Sequence, residues 1–462
     1  MRQNAQVAMV NDPNVSRAFG ALNETVDPQR SLQHNLAEYD GKRQMANGKP
    51  HRRGVLILGT EPRISVPIAR SLNRKGIPVA IAALSRKEAP VKSRAVCEFA
   101  YLPSYQDYPT EFIQALASLA RARDLDMLIP ATDAALDAVS QNYHELNQIL
   151  CIASPPPHVV EHVLNKESTL EIARQAGIRV PRQYEINGEH DLESLSRILQ
   201  FPLVAKPRRK SSAETFKARY FHSLEQLREG FASGQLDGVL LQEFCPGVGV
   251  GVEILRNAGQ CVAVFQHRRI KEVPYAGGAA VVAIAEPPNP GLVAIAQNLL
   301  HALAWEGIAM VEFRWDPTDH AAVLMEVNGR YWGTVSLPIQ AGVDFPWYQW
   351  QLAHGDKPAV PASYAAGVRW RWSAGYLRRV RGMLPTCTKT GGSMQRKDLL
   401  ASALDFMPSI HDALWSWSDP VPATTEAFRA VKQLLVSDVG VIIKKLRALT
   451  ARAARQQASA KA

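Results

Sequence analysis

Residues 325–333 read MEVNGRYWG and follow directly on an apolar run, residues 321–324. Glu326, Asn328 and Arg330 stand at strict two-residue spacing. In a strand, residues i, i+2 and i+4 line one face, so this stretch predicts a strand that aims a carboxylate, an amide and a guanidinium the same way. Upstream, GIAMVEFRWD (307–316) sets Glu312 in an apolar run, and PTDH (317–320) supplies turn residues between the two stretches. The two stretches together predict a hairpin. Pairing centred on Asp319 puts Glu312 opposite Glu326, since the two are equidistant from it. Opposed carboxylates repel on a bare sheet, so a cation should lie between them. With Asn328 they offer three hard oxygen donors, a set suited to Mg2+ (or Mn2+), which keeps waters and is commonly shared with phosphates.

The 462 residues are too many for one core and predict several domains. Residues 1–53 are polar, carry a net +3 and lack a clear period, which reads as a disordered basic segment. Order is expected from Gly54. VLILG (55–59) reads as a buried strand, 61–76 as a helix stopped by Gly76, and IPVAIAAL (77–84) as the next strand. A helix (110–123), a strand (126–130) and a helix capped by Thr132-Asp133 follow, so residues 54–153 predict a parallel α/β domain. Gly59 stands alone without GxGxxG, giving dinucleotide binding little support. SPPPH (154–158) marks a linker, and residues 154–358 then read as a second domain of α+β type. Its strands include FPLVAKP (201–207), GVLLQEFCPG (238–247) and two strands joined at Asn257–Gln260.

Bulk properties exclude several classes. No window approaches the ~18 consecutive apolar residues of a membrane helix, and no signal-peptide core opens the chain, so a cytoplasmic protein is expected. The five cysteines form no CxxC pair and read as reduced thiols. The net charge is +10, of which residues 1–53 hold +3 and residues 441–462, with six Lys/Arg and no acid, hold +6. The body is therefore nearly neutral, which argues against nucleic acid as a partner.

Four stretches together resemble the ATP-grasp superfamily, most of all its carboxylate–amine ligases of the carbamoyl-phosphate-synthetase and biotin-carboxylase type. These are MVEF followed by MEVNGR, LVAKP, LQEFCPG and LNKESTLEIARQAGIRVP, and the resemblance spans roughly residues 54–355. It implies a pre-ATP-grasp α/β domain, a two-lobed grasp (small lobe about 160–245, large lobe about 246–358) and a C-terminal extension (359–440) before the basic tail (441–462). It implies Mg2+ on Glu312, Glu326 and Asn328, with Arg330 neutralising the γ-phosphate or an acyl phosphate. Lys166 and Lys206 would contact the α- and β-phosphates of ATP. Gln242, with the backbone of Glu243 and Cys245, would read adenine, and Phe244 would pack beside it. Arg268 or Arg269 would sit near the transferred phosphate or the carboxylate, and Gly277 and Gly278 would free a covering loop. Glu253 is the one candidate for a ribose-binding acid, at an unsettled register. The implied reaction activates a small-molecule carboxylate as an acyl phosphate, releases ADP and lets an amine displace phosphate. An ATP-binding regulatory protein and a kinase on the same fold are the alternatives.

Each residue also has a plainer reading. Glu312 taken singly is a hairpin charge, Lys166 a solvated helix lysine, and Arg268 and Arg269 an exposed strand end. His267 reads as structural, and Trp332, Trp347 and Trp350 as packing residues. The C-terminal third reads first as a cap with a solvated tail. Its second reading is attachment to an acidic surface on the inner side of a membrane, through the basic stretch 441–457.

Overall fold

The computed structural model describes residues 53–186, 189–210, 218–234, 236–273, 278–316, 318, 321–390 and 402–433. All belong to one compact unit, Arg52–Ala462. The readings of the first 52 residues, of the basic tail, of Gly277 and of most of PTDH lie outside the described residues.

The N-terminal sheet is the expected parallel α/β layer. Strands β1 (Gly54–Leu58), β2 (Val79–Ala83), β3 (Glu98–Tyr101), β4 (Leu125–Pro130) and β5 (Cys151–Ile152) form one parallel sheet in the order β3-β2-β1-β4-β5. Helices α1 (Pro62–Arg74), α2 (Pro109–Ala122) and α3 (Asp133–Gln141) connect them. Alternate residues of β1 bury on opposite sides. Leu56 and Leu58 pack with Phe112 and Leu116 of α2, whereas Val55 and Ile57 pack with Ile64, Ile68 and Leu72 of α1. Both faces being covered explains the unbroken apolar run. Thr132 caps α3 as expected, its Oγ1 accepting from the amide of Ala135 at 3.1 Å. Strands β3 and β5 escape the sequence reading, being short and only partly buried.

Helices α4 (Pro157–Leu164) and α5 (Lys166–Gln175) lead into a small four-stranded antiparallel sheet. It contains β6 (Gln183–Tyr184), β7 (Leu203–Pro207), β8 (Arg219–Phe221) and β9 (Val239–Glu243), ordered β6-β9-β7-β8 and backed by α6 (Leu224–Ala232). The large sheet is built on β10 (Val248–Asn257), β11 (Gln260–Val273), β12 (Ala279–Glu286), β13 (Gly307–Trp315) and β14 (Ala322–Asn328). Helix α7 (Pro290–Ala302) joins β12 to β13. Beyond α8 (Phe345–Ala353), the C-terminal segment adds β15 (Arg369–Arg371) and β16 (His411–Asp412) to the same sheet, giving the order β14-β13-β10-β11-β12-β15-β16. Helix α9 (Ser373–Thr390) lies between those two strands, and α10 (421–433) follows them.

The hairpin carries Glu312 opposite Glu326. The route differs from simple centring on Asp319. Near the turn the register runs Trp315–Ala322 and Phe313–Leu324, and a bulge at Met325 then restores the Glu312–Glu326 pair. After Asn328 the strand ends. The chain bends at Gly329, whose Cα lies so close to the Trp305 indole that an added Cβ would stand 2.6 Å from Cζ2. Trp305 is itself wholly buried, its Nε1 donating to the carbonyl of Ile308 at 3.1 Å. Neither partner can move aside cheaply. Gly329→Ala is therefore expected to cost ~1–3 kcal/mol, the range for overpacking, read as a lower midpoint in urea unfolding. Trp305→Leu in the same chain should recover part of that loss, and strict additivity of the two changes would disprove the contact.

Candidate active site

One face of the large sheet changes character along its length. On β10, Val250, Val252 and Ile254 face the core under α4, α5 and α7, while Gly249, Gly251 and Glu253 face the other way. The matching residues are His267 and Arg269 on β11, and Glu312 and Arg314 on β13. The glycines leave room that these side chains fill. A Cβ on Gly251 would lie 2.5 Å from His267 Cε1, and one on Gly249 would lie 2.9 Å from Arg269 Cδ. VGVGVE is thus a strand with a packed face and an open face, and the charged groups collect on the open one.

Glu312 is central there. Asn328 Nδ2 donates to its Oε1 at 2.9 Å, and Arg269 Nη2 pairs with its Oε2. Arg269 also approaches Glu272 (3.4 Å), which Arg314 Nη2 engages at 3.1 Å. Burial opposes the charge on Arg269, but Glu312 and Glu272 outweigh it and raise its pKa. The cation expected between the opposed carboxylates is therefore this guanidinium on the Glu312 side. On the Glu326 side the cations come from other elements.

Lys206 ends β7, and burial lowers its pKa against the pull of Glu326 and Glu312. Lys166 opens α5 behind the cap Asn165, and its Nζ donates to the carbonyl of Pro207 at 2.8 Å. Burial brings it down to about 8, opposed by Glu326 and aided by Lys210 and Lys206. Lys210 donates from Nζ to the carbonyl of Val327, next to Glu326. Burial works against ionisation of Glu326, but Lys210, Lys166, Lys206 and Arg330 overcome it and hold the carboxyl at about 2. Four cations thus surround one carboxylate, more positive charge than Glu326 can balance.

Arg330 lies past the strand end and does not continue the face of Glu326 and Asn328 in ladder register. It is gripped by Asp133 at the start of α3, through Nε–Oδ1 (3.2 Å) and Nη2–Oδ2 (2.8 Å), and Nη1 donates to the Tyr331 carbonyl (2.9 Å). Asp133 sits at the carboxyl end of β4, beside β1, where the parallel sheet's strand order reverses and α/β sheets bind ligands. The sequence reading treated Thr132-Asp133 as a helix cap alone.

At the hinge, Gln242 is 2% exposed, and its Nε2 has no partner among the described residues. A buried amide donor of this kind fits a heterocycle edge. Glu243 points outward, its Oε1 accepting from the Arg182 amide at 3.0 Å, and Phe244 is exposed, 6.5 Å from the Tyr220 ring. Burial pushes the Cys245 thiol up to about 11, so it is a neutral lining residue.

Two sequence-level candidates are placed away from the cluster. Arg268 neighbours Arg269 on the strand and so projects from the opposite face, where its Nε donates to Glu286 Oε1 at 2.5 Å. Glu253 is 0% exposed and held by His267 Nδ1 at 2.5 Å, so no surface of it is open to a ribose. His267 has the structural part assigned to it. The sequence reading did not single out Lys210, Arg314, Glu272 or Asp133. The Gly/Val alternation and the two-residue step from Glu312 to Arg314 were the available signals.

A family model described as ATP-grasp in the biosynthetic pathway with Ter operon matches residues 235–375. An L-amino acid ligase from Bacillus licheniformis superposes with a TM-score of 0.53 at 19% identity, covering 66% of this chain and 75% of that one. The biotin carboxylase domain of Hydrogenobacter thermophilus 2-oxoglutarate carboxylase, solved with MgADP and bicarbonate, gives 0.53 at 13% identity over 68% and 73%. The chain has the ATP-grasp fold. A D-aspartate ligase of Enterococcus faecium (strain Aus0004) is similar to it over 337 residues, at 21% identity, covering 67% of this chain and 78% of that protein.

Two opposed carboxylates and an amide carry oxygen ligands only, which suits Mg2+ over a soft metal. Among the described residues no group of three or more His, Cys, Asp or Glu is placed to hold a metal ion. The low value at Lys166 has a consequence for anion binding. Lys166 is charged below about pH 8 and loses its proton above it. If the charged form alone binds polyphosphate, affinity for ATP should fall roughly tenfold by about pH 9, with proton uptake on binding. Titration calorimetry in buffers of different ionisation heat reads both. Lys166→Arg should flatten the profile; a profile equally steep in that variant would assign the effect elsewhere.

Proposed function

We propose that this protein is an ATP- and Mg2+-dependent ligase that activates a carboxylate as an acyl phosphate and passes it to an amine. The observation that carries this reading is the set of cations acting on Glu326, namely Lys166, Lys206, Lys210 and Arg330, of which Asp133 pairs the last. Phosphoryl transfer needs charge neutralisation and alignment more than covalent help. Held by Glu312, Glu326 and Asn328, Mg2+ would supply neutralisation at the β- and γ-phosphates. Lys166 and Lys206 bind the α- and β-phosphates. Arg269, now on one oxygen of Glu312, gains a second anionic partner when phosphate arrives. Gln242 and the hinge backbone bind adenine.

The substrate carboxylate oxygen attacks the γ-phosphorus, the bond from that phosphorus to the β-γ bridging oxygen breaks, and ADP leaves. The amine nitrogen then attacks the acyl carbon, loses a proton, and inorganic phosphate leaves with its oxygen. Arg330, fixed by Asp133, keeps a cation beside the oxygens that gain charge in the first step. Similarity to a D-aspartate ligase and to an L-amino acid ligase supports an amino acid as one partner. A cytoplasmic site of action goes with the use of ATP. Among the described residues no helix is long and apolar enough to cross a membrane.

Purified protein with Mg-ATP and pooled cell metabolites should release ADP, and not AMP, in a pool-dependent way. Glu326→Gln should lower that rate at least ~100-fold, the scale of a lost transition-state charge contact, in a protein that still unfolds cooperatively, at a midpoint lowered by the cations left without it. AMP release would refute γ-phosphoryl activation. A stable phosphorylated product formed without any amine would replace the ligase reading with a kinase.

A further inference from the structure

The C-terminal segment exposes aromatic and aliphatic side chains that the site does not use. Trp417 is 88% exposed, Phe428 is 71% exposed, and Trp415, Val421 and Val431 are also exposed. Val421, Phe428 and Val431 stand at i, i+7 and i+10 of α10, which places them along one stripe. Ala430, on another side of the helix, is wholly buried, so α10 docks on the body and presents this stripe outward. Trp415 and Trp417 meet edge to face at 5.2 Å and extend the apolar surface beyond the helix.

The surface beside the stripe is basic. The loop 85–94 is fastened to the Trp417 segment. Arg94 Nη1 donates to the Ser418 carbonyl (2.9 Å), while the Arg94 amide and Ser93 Oγ donate to the Asp419 carboxylate (3.1 and 2.6 Å). Arg429 of α10 reaches the Pro90 carbonyl at 3.4 Å. That loop exposes Arg86, Lys87, Lys92 and Arg94, and α10 exposes Lys432. The nearby acids are engaged inward. Asp419 also binds Arg70, Glu426 accepts from the Trp372 indole (3.0 Å), and Glu88 accepts from Thr60 and from the amides of Leu84 and Ser85.

We propose that this face docks on an anionic lipid bilayer. Indole rings sit at the headgroup level of membranes, and an amphipathic helix with flanking cations lies in that plane. Each Lys or Arg near such a surface adds electrostatic attraction. Aliphatic Val421 and Val431 within the stripe favour acyl chains over a stacking partner such as RNA. None of the residues of this face is among those assigned to nucleotide, metal or substrate, so the proposal stands or falls independently of the ligase reading.

The test is co-sedimentation of the full chain with vesicles of phosphatidylcholine, with and without phosphatidylglycerol. Binding is expected to anionic vesicles and not to neutral ones, and to weaken with added salt. Trp417→Ser with Phe428→Ser should weaken it by about tenfold or more. Lys87→Gln with Lys92→Gln and Lys432→Gln should reduce the salt dependence. Thermal unfolding of each variant checks that exposed positions alone were changed. Failure to bind anionic vesicles, or equal binding by the aromatic variant, would overturn the proposal. So would a dimer, seen by light scattering, that the aromatic variant dissolves, or single-stranded RNA binding without vesicle binding.

Discussion

The arrangement turns on two carboxylates, Glu312 and Glu326, fixed opposite each other on neighbouring strands. Such a pair is unfavourable by itself, and partial burial makes each charge costlier. Cations from four directions offset this: Arg269 from the next strand but one, Lys206 from the small sheet, Lys166 from the start of α5, and Arg330 from the turn after β14. Those cations are in turn tolerated only beside the carboxylates. Removing one member of such a group leaves its neighbours with uncompensated charge. The small sheet, the large sheet and the parallel domain meet at this point because each supplies part of one charge balance.

The apolar structure is shaped to let that balance form. Strand β10 devotes its valines to the core under α7 and keeps its other face nearly bare with Gly249 and Gly251, so that Arg269 and His267 can cross it. At the far end of the same face the residues turn apolar. Leu255, Phe265, Ile308 and Met310 join one core with Val55, Ile57, Ile64 and Ile68 of the parallel domain. The parallel domain is thereby held against the large sheet, which keeps Asp133 within reach of Arg330. Positioning the guanidinium is thus tied to the core shared by the parallel sheet and the large sheet.

The C-terminal segment is part of the same scaffold. Strand β15 pairs with β12, and Asp405 accepts from Lys271 (2.7 Å), Tyr376 (2.6 Å) and Arg369 (3.2 Å). Lys271 lies two residues from Arg269 on β11, so the segment steadies the strand that delivers a cation to Glu312.

Much of the fold was legible because local rules act on short stretches. The unbroken apolar runs in VLILG and IPVAIAAL, the Thr132 cap, and the turn between Asn257 and Gln260 each depend on neighbours in the chain, and each is found. Glu312, Glu326 and Asn328 could be grouped for the same reason, since one hairpin holds them. The residue types of MEVNGR and MVEF by themselves determined a charged strand pair in need of cations. Which cations answer was decided by tertiary structure. Lys210 and Asp133 lie 116 and 193 residues away from Glu326 in the chain, and no local period connects them. The choice of Arg269 over Arg268 rested on which face of β11 meets β10, a register set by pairing with a strand whose glycines leave the space. Sequence determines which groups a strand offers; only packing between sheets decides which of them share one low-dielectric site, because charge interactions depend on distance through space and not along the chain.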